Sequence, residues 1–324
     1  MKSWPKRIRF AASCIALAGV WCLVALAQVT ASTLSPITAI AVTPDKAAVV
    51  VASQAGVEVR SWPSLARVAM LPTEMANVHD LAFSPDGKIL AVVGGHPAVE
   101  GGVELYRWPE QDLLRRVSPH DDVVYAVAWR QDGQELALAG GDNRVSVVAI
   151  SIERASHYLE GHSRAVLAVA YLPKDNGLLS GGVDQSIRLW DVTATTTKRT
   201  LVNHTRAVTD LKVRPSSDSQ TIPIVASSGE DRTVRFWQPT IGRLVRFARL
   251  ESPALELAWN HDGQILWAAC RDGRVRAVNP ENAAVVSDLP AVDGVAYAVA
   301  ISPDEKLLVA GSNGQLRRVV IHTQ

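Results

Sequence analysis

The sequence predicts an all-β fold, a seven-bladed β-propeller of four-stranded antiparallel blades closed by an N-terminal strand. Three observations predict it. One short pattern occurs seven times: an apolar run, a turn with Pro or Asp, a second apolar run, then small residues. From Asp45 to Asp304 its turns recur about every 43 residues, within the range of a four-stranded blade. No segment after Ala27 carries a helical period, and Gly and Pro punctuate the chain at strand-length intervals. With 324 residues, 48% of them apolar, the chain can bury a full core, which excludes global disorder.

The chain opens with a leader. Lys2, Lys6, Arg7 and Arg9 stand without an acid, and residues 10–27, FAASCIALAGVWCLVALA, carry no charge. A basic start, an apolar stretch of 18 residues and Ala25-Leu26-Ala27 form the three parts of a secretory signal peptide. The same length approaches a membrane span, so residues 1–27 read either as a cleaved signal or as an N-terminal transmembrane anchor. Both readings keep the basic flank cytoplasmic and export residues 28–324. The exported part is then periplasmic or extracytoplasmic, soluble after cleavage near Ala27 or anchored by residues 10–27. Neither Cys14 nor Cys22 follows a lipobox. The exported part carries 29 basic and 32 acidic residues, a net −3, which opposes nucleic-acid binding. It keeps one cysteine, Cys270, so no intrachain disulfide can form, and Cys270 reads as a small buried hydrophobe in a strand.

Each repeat then supplies its strands in order. The inner strands are ITAIAV, VHDLAF, VVYAVAW, AVLAVAY, AVTDLKV, ALELAW and VAYAVAI. They are short and apolar at nearly every position, as strands buried on both faces are. The turns after them are Thr43-Pro44-Asp45, Ser84-Pro85-Asp86-Gly87, Gln131-Asp132-Gly133, Pro173-Lys174-Asp175, Arg214-Pro215-Ser216, His261-Asp262-Gly263 and Ser302-Pro303-Asp304. A second apolar run follows, such as KILAVVGG, and after a Gly/Asp/Asn turn comes a third strand, such as SIRLW or TVRFW. Repeat 2 departs from the pattern with a long turn over residues 94–102, flanked by double glycines. The insertion over residues 216–223 reads as a plain polar loop on the opposite face. Repeat 7 stops at its third strand, QLRRVVIH, so residues 28–33 are expected to supply the fourth and remove an exposed edge.

Two repeats carry a fuller signature. Repeat 4 has His162, Ser180, Asp184 and Trp190, and repeat 5 has His204, Ser227, Asp231 and Trp237. In both, Ser lies four residues before Asp and Trp six after it. This resembles the WD-repeat (β-transducin-like) family. The resemblance implies that each quartet forms a buried, hydrogen-bonded tetrad, with Trp supplying packing area. Repeat 3 keeps His120 and Asp142 but has Leu138 and Val148 at the Ser and Trp positions, which leaves His120 short of two partners. Asp184→Ala is therefore expected to cost more stability than Asp142→Ala. Repeat 6 keeps Asp272, with Ala268 and Val278. The S-P-D-G turns are also similar to TolB-like propeller repeats, which leaves the subfamily open. The usual closure of the family would point the His/Asp loop face away from the membrane if the leader is retained.

Chemistry is sparse. His120, His162 and His204 recur at 42-residue spacing, as three metal ligands on a ring would, but the tetrads account for two of them. No metal and no cofactor is expected. No CxxCH, P-loop, H-E-x-x-H or nucleophile elbow occurs, and Asp121-Asp122 reads as a solvated loop pair. The family implies binding on the His/Asp loop face. There Arg164, Arg206, Arg232 and Arg274 form a basic sector, Asp121, Asp122 and Asp293 an acidic one, and His96 and Glu100 lie on the extra turn of repeat 2. The expected function is a non-enzymatic scaffold in the cell envelope. Its partner is a protein or peptide, with a membrane complex among the candidates. The alternative is a ligand- or metal-binding or catalytic propeller that uses its central channel around His120.

Overall fold

A computed structural model describes residues 34–151, 156–173, 177–216, 222–302 and 304–320. The leader, the expected closing strand over 28–33 and most of the 216–223 insertion lie outside the described residues. Seven antiparallel sheets follow one another in chain order. Their inner strands are Ile37–Val42, Asp80–Phe83, Val124–Trp129, Val166–Tyr171, Val208–Val213, Ala254–Trp259 and Ala296–Ile301. Six sheets have four strands; the seventh has three among the described residues, Ala296–Ile301, Leu307–Gly311 and Leu316–Val319. Helix is confined, among the described residues, to two 3-10 turns, Pro239–Ile241 and Ser312–Gly314.

The turns explain why each apolar run folds back on the next. Ser84 Oγ donates to Asp86 Oδ1 at 2.7 Å and accepts the Ile89 N–H at 3.0 Å, and Asp86 accepts the Lys88 N–H. Thr43 with Asp45 and Ser302 with Asp304 repeat the arrangement. A short polar side chain thus satisfies the backbone that a turn leaves unpaired.

The core lies between blades rather than within one. Among the described residues seven buried apolar clusters occur, one for each pair of neighbouring blades. The last joins Ile37 and Val51 of blade 1 to Ala298 and Ala310 of blade 7, and so closes the ring. Arg318 reinforces that seam, with its guanidinium 5.0 Å over the Trp62 ring and a hydrogen bond to the Pro63 carbonyl. Cys270 is fully buried in its strand, Leu266–Cys270.

Sequence and structure differ at the extra turn of repeat 2. Residues 94–102 are not one long turn: strands Ile89–His96 and Glu100–Arg107 extend a hairpin out to His96↔Glu100 and leave residues 97–99 as its turn. The double glycines serve close packing rather than flexibility. A Cβ on Gly101 would stand 2.1 Å from the Asp122 carbonyl, and one on Gly102 2.1 Å from that of Val117.

Candidate functional site

Antiparallel blades bring two sets of loops to one end of the ring: those entering each inner strand and those joining the second strand to the third. In blade 4, His162 Nδ1 meets Asp184 Oδ2 at 2.9 Å and Nε2 meets Ser180 Oγ at 2.7 Å, while Trp190 Nε1 donates to the same Oγ at 2.7 Å. Blade 5 repeats this with His204, Asp231, Ser227 and Trp237 at 2.9, 2.7 and 2.8 Å. The network fixes the tautomer. Ser Oγ accepts the indole N–H, so its own proton goes to Nε2, and Nδ1–H donates to the carboxylate. Burial pulls the His162 pKa down against the pull of Asp184, which keeps the ring neutral at pH 7. Each Asp also accepts a backbone N–H from the loop after its His, Ser163 and Thr205 at 3.1 Å. The tetrads therefore lock one loop to the other.

His120 is not short of partners. It is buried, with Nδ1 2.9 Å from Asp142 and Nε2 2.8 Å from Ser146 Oγ. The hydroxyl has moved from the second strand, where Leu138 stands, to the third. Asp142 further binds Arg144 at 2.7 Å and the Asp121 N–H at 3.2 Å. Burial would raise its carboxyl, but His120 and Arg144 outweigh burial and hold it well below the usual range. With both ring nitrogens engaged, His120 offers no free ligand atom to the channel-site alternative. The ground for ranking Asp142→Ala below Asp184→Ala is thereby removed. Asp142→Ala and Asp184→Ala should each cost about 1–3 kcal/mol, because each strands a buried His and a backbone donor. Urea unfolding of the two variants checks this; a deficit for Asp142→Ala of less than half that for Asp184→Ala would contradict it.

Two further networks escaped the sequence reading. In blade 6, Arg276 replaces His: it is buried and grips Asp272 through two bonds of 3.1 and 2.7 Å. In blade 2, Glu104 is fully buried and accepts from Tyr106 Oη at 2.7 Å, Thr73 Oγ1 at 2.6 Å and Arg116 Nε at 2.8 Å. The register offers a signal for both. Counted two residues before the Trp position of the third strand, the seven blades carry Glu58, Glu104, Ser146, Arg188, Arg235, Arg276 and Arg317.

The candidate partner-binding residues separate by what they touch. His96 and Glu100 are exposed at the tip of the hairpin arm. Asp122 does not hang in solvent: its Oδ1 accepts the Ala98 N–H at 2.8 Å, bracing the arm, and the Val123 N–H at 2.8 Å. Asp122→Ala should leave global stability within about 1 kcal/mol while speeding amide exchange at Ala98. Asp121 pairs with Arg144 at 2.7 Å, Arg274 with Asp288 at 2.6 Å and Asp293 with Arg317 at 2.9 Å. Arg164, Arg206 and Arg232 are exposed and reach no carboxylate among the described residues.

The inner strands also line a central bore. Asp80, Asp210 and Glu256 each accept a backbone N–H of the next blade, from Val127, Leu257 and Val299 at 3.0, 2.8 and 2.8 Å. Lys212 lies 3.5 Å from Asp210 and 3.7 Å from Glu256, and it also attracts Asp80 of blade 2 across the ring. Among the described residues no group of three or more His, Cys, Asp or Glu is arranged to hold a metal ion. No helix among them is long and apolar enough to cross a membrane.

Comparison with known proteins agrees with this geometry. Residues 111–148, 154–191 and 195–238 match the family described as WD domain, G-beta repeat. Residues 219–301 match the Anaphase-promoting complex subunit 4 WD40 domain. The chain is similar to Coronin-7 of Rattus norvegicus, 33% identical over 139 residues, which is 40% of this chain and 14% of that protein. It is 26% identical to Protein ROOT INITIATION DEFECTIVE 3 of Arabidopsis thaliana over 47% of this chain and 38% of that one. Similarity to Nuclear distribution protein PAC1-1 of Uncinocarpus reesii is 35% over 26% of this chain and 18% of the relative. The matched stretches thus span well under half the length of these relatives. The chain is a seven-bladed β-propeller that carries WD40 repeats.

Proposed function

We propose that the chain is a non-enzymatic protein-interaction scaffold of the cell envelope that binds a protein partner on its loop face. One observation carries this reading. The His/Asp networks and the Asp122 brace use up their polar groups in fixing the loops, and leave a braced face whose free groups include, among the described residues, the arm tip and a set of arginines. Preorganised loops bind with little ordering cost. WD40 repeat proteins bind protein partners, which supports the same reading. Export is supported by the basic start and the uncharged run over residues 10–27.

Two experiments test it. A reporter enzyme active only outside the cytoplasm, fused after residue 40, should be active; inactivity removes the envelope assignment. Photo-crosslinking residues placed at Val99 on the arm and Val202 on the loop face should capture a protein in cells, while one at Lys46 in an opposite-face turn should not. Capture at Lys46 alone would overturn the loop-face reading.

A further inference from the structure

The arginines of the loop face fall into two groups. In blades 3, 6 and 7 they reach carboxylates: Arg144 on Asp142, Arg271 on Glu230, Arg274 on Asp288, Arg276 on Asp272 and Arg317 on Asp293. On this face of blades 4 and 5, Arg235 alone among the described residues does so, on Asp231. Arg164, Arg188, Arg206, Arg232 and Arg249 reach no carboxylate among the described residues. Arg188 sits deeper than the others, with its guanidinium 5.9 Å from the Trp190 ring centroid, whereas Arg164, Arg206, Arg232 and Arg249 are exposed.

The acids of these blades cannot supply the deficit. Asp184 and Asp231 are held by His162 and His204, and Glu230 by Arg271. Among the described residues Glu160 and Glu251 remain at the margins, two exposed acids against four exposed arginines without an ion pair. Beside them Val202, in the loop before His204, is 71% exposed. The unpaired cations stand on two neighbouring blades, in the loops before both inner strands and in the turn before the third strand of blade 5. Such a spread fits several carboxylates along an extended segment better than one compact anion. Arginine suits it, because its planar fork takes a carboxylate through two parallel bonds.

We propose that the loops of blades 4 and 5 dock an acidic segment of the protein partner, with carboxylates on Arg164, Arg206 and Arg232 and an apolar residue over Val202. The inference rests on the scaffold reading above and names the chemistry of its partner. The arm of blade 2 then serves as a second contact rather than the charge-reading one.

The test uses the full chain in detergent and a fluorescent 12-residue peptide of alternating Asp and Glu around a central Leu. Its counterpart carries Asn and Gln instead. The acidic peptide should bind at least about tenfold more tightly than the neutral one, and affinity should fall steeply with salt. The variant Arg164→Ser/Arg206→Ser/Arg232→Ser should lose about tenfold or more with an unchanged unfolding midpoint. The control Arg107→Ser/Arg243→Ser, on the opposite face, should bind within about twofold of the parent. Equal affinity for the two peptides, or equal loss in the control, overturns the proposal. So does a single phosphoserine peptide, or single-stranded DNA, that binds more tightly than the acidic one. A partner that cross-links to Val99 but not to Val202 overturns the acidic docking and leaves the scaffold reading standing; capture at neither removes both.

Discussion

Glu104→Ala is expected to destabilise the chain by about 2–4 kcal/mol, more than the loss of any tetrad aspartate. The carboxylate is fully buried and joins three parts of blade 2: its own third strand, the loop carrying Thr73 and the outer strand carrying Arg116. Removing it leaves the Tyr106 hydroxyl with one long bond of 3.3 Å to the Pro72 carbonyl, in a residue with no exposed surface. Arg116 is 41% exposed and keeps Glu74 at 2.9 Å, so its stranded charge can turn to water. That escape keeps the cost below the upper range for a broken buried pair. Glu104→Gln retains acceptors for Tyr106 and Thr73 and should cost roughly half as much. Denaturant unfolding with an unchanged slope measures both. A loss under about 1 kcal/mol for Glu104→Ala would mean that blade 2 closes without this hub.

Blade 2 also shows where the sequence could be read and where it could not. The turns were legible because Ser84-Pro85-Asp86-Gly87 has a mechanism: hydroxyl and carboxylate satisfy the backbone they bend. The tetrads of blades 4 and 5 were legible because one geometry demands four residue types at fixed spacing. Blade 3 keeps that geometry by another route, with the hydroxyl of Ser146 arriving from the third strand, so a motif fixed on positions misses it. Blade 6 keeps the carboxylate but answers it with Arg276. In each case the physical requirement, a donor for the turn aspartate, is constant while the residue is not. The register two before the Trp position exposes this. It is polar in all seven blades and passes from Glu in blades 1 and 2, through Ser in blade 3, to Arg in blades 4 to 7. The arm is illegible for a different reason: paired glycines look like loop in a sequence, but here they allow backbones to approach.

Lys212→Met is expected to lower stability by about 2–4 kcal/mol near pH 8 and by clearly less near pH 5. Lys212 is the cation among three bore carboxylates, and its side chain is 38% exposed to the bore, so water screens part of each interaction. Burial drives the Glu256 carboxyl up to about 8 and that of Asp80 up to about 6, although Lys212 opposes both shifts. An acid whose folded pKa lies above its unfolded one contributes most stability at low pH and loses it as pH rises through the folded value. The unfolded chain releases these protons freely from about pH 4, whereas the fold must hold them or bear the charge. Without Lys212 the charge goes unanswered, so the difference from the parent must widen between about pH 5 and 8. Glu256→Gln alone should be least costly at the alkaline end, and Lys212→Met/Glu256→Gln should recover part of the single-variant loss there. The tetrad aspartates set the lower limit of the measurement. Asp142 and Asp231 lie below their ordinary values, so their stabilisation is fully present above about pH 4 and is lost progressively as pH falls from there toward the lower folded values. Thermal unfolding of the three variants across this window decides the matter: equal losses at both ends, or no recovery in the double variant, would show that the bore carboxylates do not share the Lys212 charge.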